Sequence, residues 1–495
     1  MNMASSFVWN ILRHPQSIVT NTAIASAGRL VNIIAGIVAT ALITRYLGVG
    51  QYGVFSFLLS LGAILQITAD FGLYLTLARD IAQNPERKQR IYSSIAALRV
   101  VLLGGVFICG LVVLILIPSY RDLWLPFTVI AVGLSAQSLS QLLMGIYQAT
   151  SHVWQATLGD LVGRVLQLVG IALFPILRSQ FPISAVVYMA AAFTIGAVTA
   201  YLLHGVLLSA VHPWRLTLSW QSWKHLAKTS WPLGAMLVVN AIYFRIDIVM
   251  LSYLRSDTEV GLYGLAYRVI ESGLFFPAMF GGLLLPHVSS ALTQHRELAQ
   301  KIVYQSLHAV SLAAVWAVAV LVIYAQPIVL FLSGSTFLPA APLLRVLAMA
   351  LGIMFFGNVF GFTLVALQQQ KQLMYLYCFL AAGNIMANLI YIPLYGPLAA
   401  AWTTVGTELI AMLAAGFLVW RTLAFRFPAR TFLFATVAAA SSLLATFSFL
   451  EPWHIIWRVA FPTLIYVGLL FWLGLLRGPT MHMLFHRPKA VISNR

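Results

Sequence analysis

Apolar residues run through this chain in long blocks, broken at short intervals by polar turns. A bilayer core about 30 Å thick takes ~20 helical residues to cross. Fourteen blocks reach about that length: 20–42, 52–76, 91–117, 124–147, 155–177, 183–208, 230–254, 260–285, 305–332, 341–367, 372–394, 397–420, 432–450 and 455–476. The pattern predicts an all-α polytopic membrane protein with about fourteen transmembrane helices. Pro232, Pro277, Pro286 and Pro342 fall in or at the ends of spans, where neighbouring helices re-satisfy freed backbone groups. Residues 1–20 do not read as a secretory signal peptide, because their short apolar part is broken by Asn10, Arg13, His14 and Pro15. They read as a short amphipathic helix on the membrane surface.

Composition agrees with the pattern: 61% of residues are hydrophobic and 8% charged, which fits no soluble fold. The formal charge of +17 raises the question of a nucleic-acid partner, and position answers it. Of the 29 Lys and Arg residues, 18 fall on one side of the alternating spans, 5 on the other and 6 within spans. Basic loops mark the cytoplasmic side, so both termini are expected in the cytoplasm and no nucleic acid is required. The basic segment 211–228, with Trp214, Arg215, Trp220, Trp223 and Lys224, reads as interfacial. Cys109 and Cys378 both sit in apolar blocks and read as small core residues, neither a disulfide nor a metal pair.

A weak internal repeat is present. Tyr46-Leu47 followed by Gly53-Val54-Phe55 parallels Tyr253-Leu254 followed by Gly261-Leu262-Tyr263, and Gln148 and Gly163 match Gln368 and Gly383 at one constant offset. Both turns join an odd span to an even one, so the repeats are parallel, an architecture known among transporters. The expected organisation is an N-terminal lobe at 1–211 (helices 1–6), a C-terminal lobe at 212–420 (helices 7–12), and two additional helices with a basic cytoplasmic tail at 421–495.

Ions at membrane depth are the candidate functional groups, since each costs about 2.5–3.5 kcal/mol on insertion scales and needs a partner or a wet cavity. The arginines are Arg29, Arg164, Arg245 and Arg268, two from each lobe. The acids are Asp70, Asp160, Asp247, Glu271 and Glu408. Asp160 and Arg164 are four apart and Arg268 and Glu271 three apart, so each pair can meet on one helix face. Arg245 and Asp247 point to different faces, and Arg29 has no acid in its own helix. Arg99 and Arg345 lie nearer helix ends, where a long side chain can snorkel. Two readings stand: interhelical ion pairs that fix the bundle, or a basic cavity in which guanidinium forks hold pyrophosphate. Asn384, Asn388, Gln167 and Tyr243 are polar groups for the same cavity or for helix–helix hydrogen bonds.

The segment from Phe244 to Ser272 resembles the seventh and eighth helices of polysaccharide-biosynthesis flippases: Asp247, Leu251 and Leu254, then Glu259, Val260, Gly261, Tyr263, Ala266, Tyr267 and Arg268. Arg45-Tyr46-Leu47-Gly48 with Tyr52-Gly53, and Ala69-Asp70-Phe71-Gly72-Leu73, look like their opening helices. The stretch from Asn384 to Gly396, with Ala399-Ala400-Ala401-Trp402-Thr403-Thr404 and Glu408, is similar to their eleventh and twelfth. The family belongs to the multidrug/oligosaccharidyl-lipid/polysaccharide exporter superfamily. The resemblance implies two six-helix lobes in a parallel pseudo-twofold repeat plus two C-terminal helices, a fold like that of multidrug and toxin extrusion transporters. It implies translocation of an undecaprenyl-pyrophosphate-linked glycan to the outer leaflet of the bacterial inner membrane, by alternating access, for O-antigen or exopolysaccharide. Implied partners are membrane lipids, a polysaccharide polymerase and other assembly proteins, and Na+ or H+ as coupling ion. A lipid II flippase and a multidrug/cation exporter are the alternatives within the superfamily.

Absences bear on class. The chain has no phosphate-binding G-x-x-x-x-G-K-[ST] and no Gly-Lys dipeptide, so energy is expected from a gradient or a partner. His spacing supports no metal site, and no other cofactor is expected. The expected outer turns are short, unlike those of a membrane glycosyltransferase, polymerase or ligase, so an enzyme is not expected.

Overall fold

A computed structural model describes residues 18–150, 152–178, 183–208, 211–447 and 455–476. The surface helix expected at 1–20 lies, but for its last residues, outside them, as do the basic tail from 477 and residues 448–454. All regular structure among the described residues is helical. In chain order the helices are α1 (Ile18–Asp70), α2 (Leu73–Gln83), α3 (Lys88–Leu116), α4 (Trp124–Ala149), α5 (Val153–Ala172), α6 (Phe174–Arg178), α7 (Ala185–Leu207), α8 (Trp220–Leu254) and α9 (Asp257–Gly273). They continue with α10 (Phe275–Gln294), α11 (Arg296–Ile323), α12 (Ala325–Ser333), α13 (Ala341–Ala366), α14 (Gln370–Tyr395), α15 (Pro397–Leu423), α16 (Ala429–Phe447) and α17 (Ile455–Trp472).

Eleven helical stretches among the described residues are long and apolar enough to cross a membrane. The first, Ala27–Gln83, holds two expected spans, because α1 continues through Gly48 with one non-helical residue (φ 70°, ψ 177°). That conformation is open to glycine and strained for other residues. Two other expected spans fall outside the eleven. Gln155, Asp160, Arg164 and Gln167 dilute the apolar content of α5, and α16 contributes a shorter apolar stretch, Ala429–Ala445. Many large apolar side chains are exposed, Leu116, Phe379 and Leu444 among them. A soluble protein does not display so much contiguous apolar surface; a multi-pass membrane protein requires it.

Several boundaries differ from the expectation. Helix α8 starts at Trp220, so half of the interfacial segment is helical; Ser219 Oγ caps it by accepting from Ser222 N at 3.4 Å. At 35 residues and 1.5 Å per residue, α8 is longer than the hydrocarbon core needs. The span expected at 260–285 is divided between α9 and α10, and α11 begins at Arg296 because Glu297, Gln300 and Lys301 are helix-compatible though polar. Pro342 lies in the first turn of α13, where its missing N–H is not needed. Cys109 and Cys378 are free thiols on exposed helix faces, not core residues as composition suggested.

The chain forms two compact units, Met1–Gly264 and Leu265–Arg495. In the first, Leu73, Leu77 and Ile81 of α2 meet Tyr92 and Ile95 of α3, Leu142, Ile146 and Tyr147 of α4, and Leu226 of α8 in one core. The turn before α9 packs against the middle of α1 with almost no separation. A Cβ built on Gly53 would lie 1.9 Å from the Asp257 carbonyl oxygen, and one on Gly261 would lie 2.1 Å from that of Val49. The contact is reciprocal: Gly53/Gly261, Val49/Asp257, Gly50/Thr258 and Ser56/Gly264 are each 208 residues apart (261 minus 53). Matched positions of the sequence repeat therefore touch one another, as residues beside a local two-fold axis do.

In the second unit α13 is the most enclosed helix, packed on α15, α11 and α10. The two additional helices dock on α11. Tyr466 stacks on Trp316 at 4.6 Å, its hydroxyl donates to Leu312 O at 2.9 Å, and His308 reaches Thr431 Oγ1 at 2.8 Å and Leu475 O at 2.9 Å.

Candidate functional site

The membrane-depth ions fall into distinct groups. The first centres on Asp160, in the third turn of α5. Gly163 and Gly196 bring α5 and α7 into backbone contact, each placing a notional Cβ within 2.6 Å of the other's carbonyl oxygen; small residues serve this purpose between membrane helices. That approach sets His204, near the end of α7, with Nε2 at 3.5 Å from Asp160 Oδ1 and 2.8 Å from Ala156 O. Arg164 and Arg29 also act on the Asp160 charge. Arg164 Nη1 donates to Gln167 Oε1 at 2.7 Å, and Arg29, on α1, is exposed. Two of the four expected arginines are thus gathered around one acid. The acid whose charge Arg29 meets lies on α5, not in its own span.

The second group is a closed network. Arg99 is fully buried (0% exposed). It forms an ion pair with Asp70, while its Nε donates to Ser138 Oγ at 2.8 Å and its Nη2 to Gln141 Oε1 at 3.3 Å. Asp70 Oδ1 also accepts from the Tyr74 amide at 3.2 Å. The expectation that Arg99 snorkels is corrected: the packing of α3 on α4 and on the end of α1 seals it from any interface. This structural pair occupies Asp70.

Other membrane-depth ions lie on α8, α9 and α15. Asp247 is buried and accepts from Tyr263 Oη at 2.9 Å, and Arg245, two residues earlier on α8, is half-buried. Arg268 is exposed and donates to Glu271 Oε2 at 2.9 Å, the pairing expected from their spacing. Glu408 is buried on α15. On α14, Asn388 Nδ2 donates to Asn384 Oδ1 at 3.0 Å, both buried. A cavity of about 650 Å³ runs along α14 and α15, lined by Phe379, Gly383, Tyr391, Tyr395, Trp402 and Ile410 among others; no Lys, Arg, Asp or Glu lines it. Its lining is apolar and aromatic, with no charged group to hold an anion.

His204 is the residue that sequence reasoning missed. Its signal was present: one imidazole in the otherwise apolar stretch that closes α7, where an ionisable group calls for a partner.

The chain matches the family model described as polysaccharide biosynthesis protein over residues 18–292, more than half its length, and a model described as MatE over 232–390. Among solved structures, the lipid II flippase MurJ in an inward closed conformation is similar at TM-score 0.75 and 15% identity, covering 92% of this chain and 100% of that one. A multidrug resistance MATE family transporter is similar in its inward-facing conformation at TM-score 0.63 and 15% identity, covering 83% and 98%. In an outward-facing conformation such a transporter gives TM-score 0.54 at 15% identity, covering 82% and 94%. At these identities the likeness is one of fold. A search of curated proteins finds no match.

Proposed function

Since the chain belongs to the polysaccharide biosynthesis protein family, we propose that it carries a polyprenyl-pyrophosphate-linked oligosaccharide from the cytoplasmic to the outer leaflet of the bacterial inner membrane, for surface polysaccharide assembly. The observation that supports this most is that Arg29 and Arg164 both lie near enough to Asp160 to act on its charge. Two guanidinium groups beside one carboxylate leave a net positive site, and pyrophosphate is the anion their planar forks hold in paired hydrogen bonds. Arg245 and Arg268 are further contacts in the same reading. The glycan head is carried across by alternating access, with 1–211 and 212–420 as the expected lobes, while the polyprenyl tail stays in lipid. No bond is made or broken, so no catalytic residue is assigned. Asp160, Asp247, Glu271 and Glu408 are the candidate acids for coupling to Na+ or H+, and Asp70 is the weakest of the set because Arg99 already holds it. In this reading there are fourteen crossings, with α1 counted twice at Gly48 and α5 and α16 included; an even number leaves both termini on one side, and the basic loops make that side the cytoplasm.

The test is Arg29→Lys beside Arg29→Ala in the native host. Lys keeps the charge and loses the fork. Both variants are expected to insert at wild-type levels, and surface glycan is expected to fall in both. Wild-type export by both removes Arg29 from the substrate site. A second reading, lipid II transport, is favoured by the fit to MurJ over that protein's whole length. Depleting the chain separates the two: the first reading expects lost surface glycan with intact peptidoglycan synthesis, the second the reverse.

A further inference from the structure

The segment between α7 and α8 plays no part in the proposed transport. Residues 211–219 run without helix until α8 begins at Trp220, and they are fastened rather than loose. His212 N donates to Gln89 Oε1 at 2.6 Å, and Gln89 Nε2 donates to His212 O at 3.2 Å. Tyr92 Oη donates to Pro213 O at 3.2 Å, and the Thr217 amide to Ser93 O at 3.2 Å. Trp223 Nε1, in the first turn of α8, donates to Ser94 O at 3.2 Å. Trp214 packs edge-on against Tyr201 of α7, with ring centroids 5.5 Å apart. The segment is a strap across the start of α3 and the end of α7.

These bonds fix its depth. Ser93 and Ser94 lie just inside the apolar block that starts at 91, within about 5 Å of its edge at 1.5 Å per residue. Headgroups occupy about 5–8 Å on each side of the hydrocarbon core, so the strap lies where headgroups meet acyl chains. At that level Leu216, Leu218 and Trp220 find no place in the core and are 49%, 75% and 69% exposed. Arg215, Lys224 and Lys228 are exposed in the same stretch, and Lys224 Nζ sits 5.6 Å from the centre of the Trp220 ring. No acid occurs in 211–229. The turn before α3, tied to the strap through Gln89, adds Arg87, Lys88 and Arg90 against Glu86 alone.

We propose that the strap, residues 211–228, is a docking site for anionic phospholipid. Leu216, Leu218 and Trp220 enter the acyl boundary, while Arg215, Lys224 and Lys228 hold the headgroup phosphates. Level and charge choose this occupant. A soluble protein partner would need the apolar side chains clear of the headgroup layer, and a zwitterionic lipid offers these cations no net charge to meet. The hydrogen bonds to α3 hold the strap in place beforehand, so little ordering remains for binding to cost. Lipid held here is independent of the transported substrate.

The experiment places a fluorophore on Leu218→Cys in the full-length protein, with Cys109→Ser and Cys378→Ser so that the label has one target. The vesicles are phosphatidylcholine with about one-fifth phosphatidylglycerol. In one set the phosphatidylglycerol carries brominated acyl chains; in the other an equal mole fraction of phosphatidylcholine does. Bromine quenches only at close contact, so the two quenching strengths show which lipid surrounds position 218. Phosphatidylglycerol is expected to quench about twofold more strongly or better. The excess is expected to vanish when Arg215→Gln, Lys224→Gln and Lys228→Gln are combined. If that variant does not insert, about 1 M NaCl, which cuts the Debye length to about 3 Å, must shrink the excess instead. Equal quenching by the two lipids means apolar contact without headgroup selection and overturns the proposal. No quenching by either means a strap off the bilayer, as a soluble partner would require, and overturns it as well. An excess that survives the substitutions, or the salt, overturns it too.

Discussion

Replacing Gly53 with alanine tests the close crossing between the turn before α9 and the middle of α1. The new Cβ would lie 1.9 Å from Asp257 O, 2.8 Å from its carbonyl carbon and 2.9 Å from Gly261 N. Ordinary Cβ contacts begin at 3.4 Å, so the two backbones must part by about 1.5 Å. No neighbouring atom is the movable end of a side chain. Overpacking costs about 1–3 kcal/mol where side chains give way, and a backbone-on-backbone clash belongs at the upper end. Alanine returns about 1 kcal/mol of helix propensity, which leaves a net loss of about 2 kcal/mol. Gly261→Ala should lose as much, because its Cβ would meet Val49 O at 2.1 Å. Gly50→Ala is the control: its Cβ would lie 3.8 Å from Thr258 Oγ1, an ordinary contact, and the helix gains propensity. The assay is the thermal unfolding midpoint of the purified protein in detergent. The expected order is Gly50→Ala at or above wild type, with Gly53→Ala and Gly261→Ala lower by several degrees. Equal midpoints for Gly53→Ala and Gly50→Ala would refute the crossing as described.

Arg99→Ala strands the Asp70 carboxylate and should cost about 3–5 kcal/mol, as breaking a buried pair does, seen as loss of membrane-inserted protein; a double Asp70→Leu, Arg99→Leu variant should recover much of it, and a stable single variant argues against the network. Reporter fusions ending at Ser93 and Ser222 should read as cytoplasmic and those at Ser119 and Ser256 as external; the opposite pattern overturns the fourteen-span count together with the lobe assignment. Removing α16 and α17, which dock on α11 through Tyr466 and His308, tests our hypothesis that they border the polyprenyl tail: export should fall more than insertion of the remaining helices. Normal export by the stably inserted remainder removes the idea.

The helices were legible because a bilayer imposes a length, and apolar blocks of ~20 residues announce themselves. Their ends were less so. Block length reports only what lies in hydrocarbon, so α8 starts ten residues before its apolar block and α11 nine before its own. The break between α9 and α10 falls at Ser272-Gly273-Leu274, with no charged residue to mark it. The repeat was legible only as scattered matches. Its meaning lies in contact, since Gly53 and Gly261 are glycines because each faces the other's turn.

For the ions, the sequence indicated that partners exist but not which ones. Arg268 and Glu271 share a helix, and spacing alone pairs them correctly. Arg99 with Asp70 and Asp160 with His204 join different helices, so their pairing follows from packing that no local pattern encodes. Depth is also a poor guide to role. Arg99 lies eleven residues into α3 and is sealed in a buried network. Arg29 lies equally far into α1, yet its side chain is exposed near a half-buried acid. A desolvated arginine whose donors are all committed inside the protein stabilises one packing of the helices. An exposed arginine at membrane depth has donors left for a ligand. That difference in accessibility, not distance from the helix end, is what marks Arg29 rather than Arg99 as the group to substitute first.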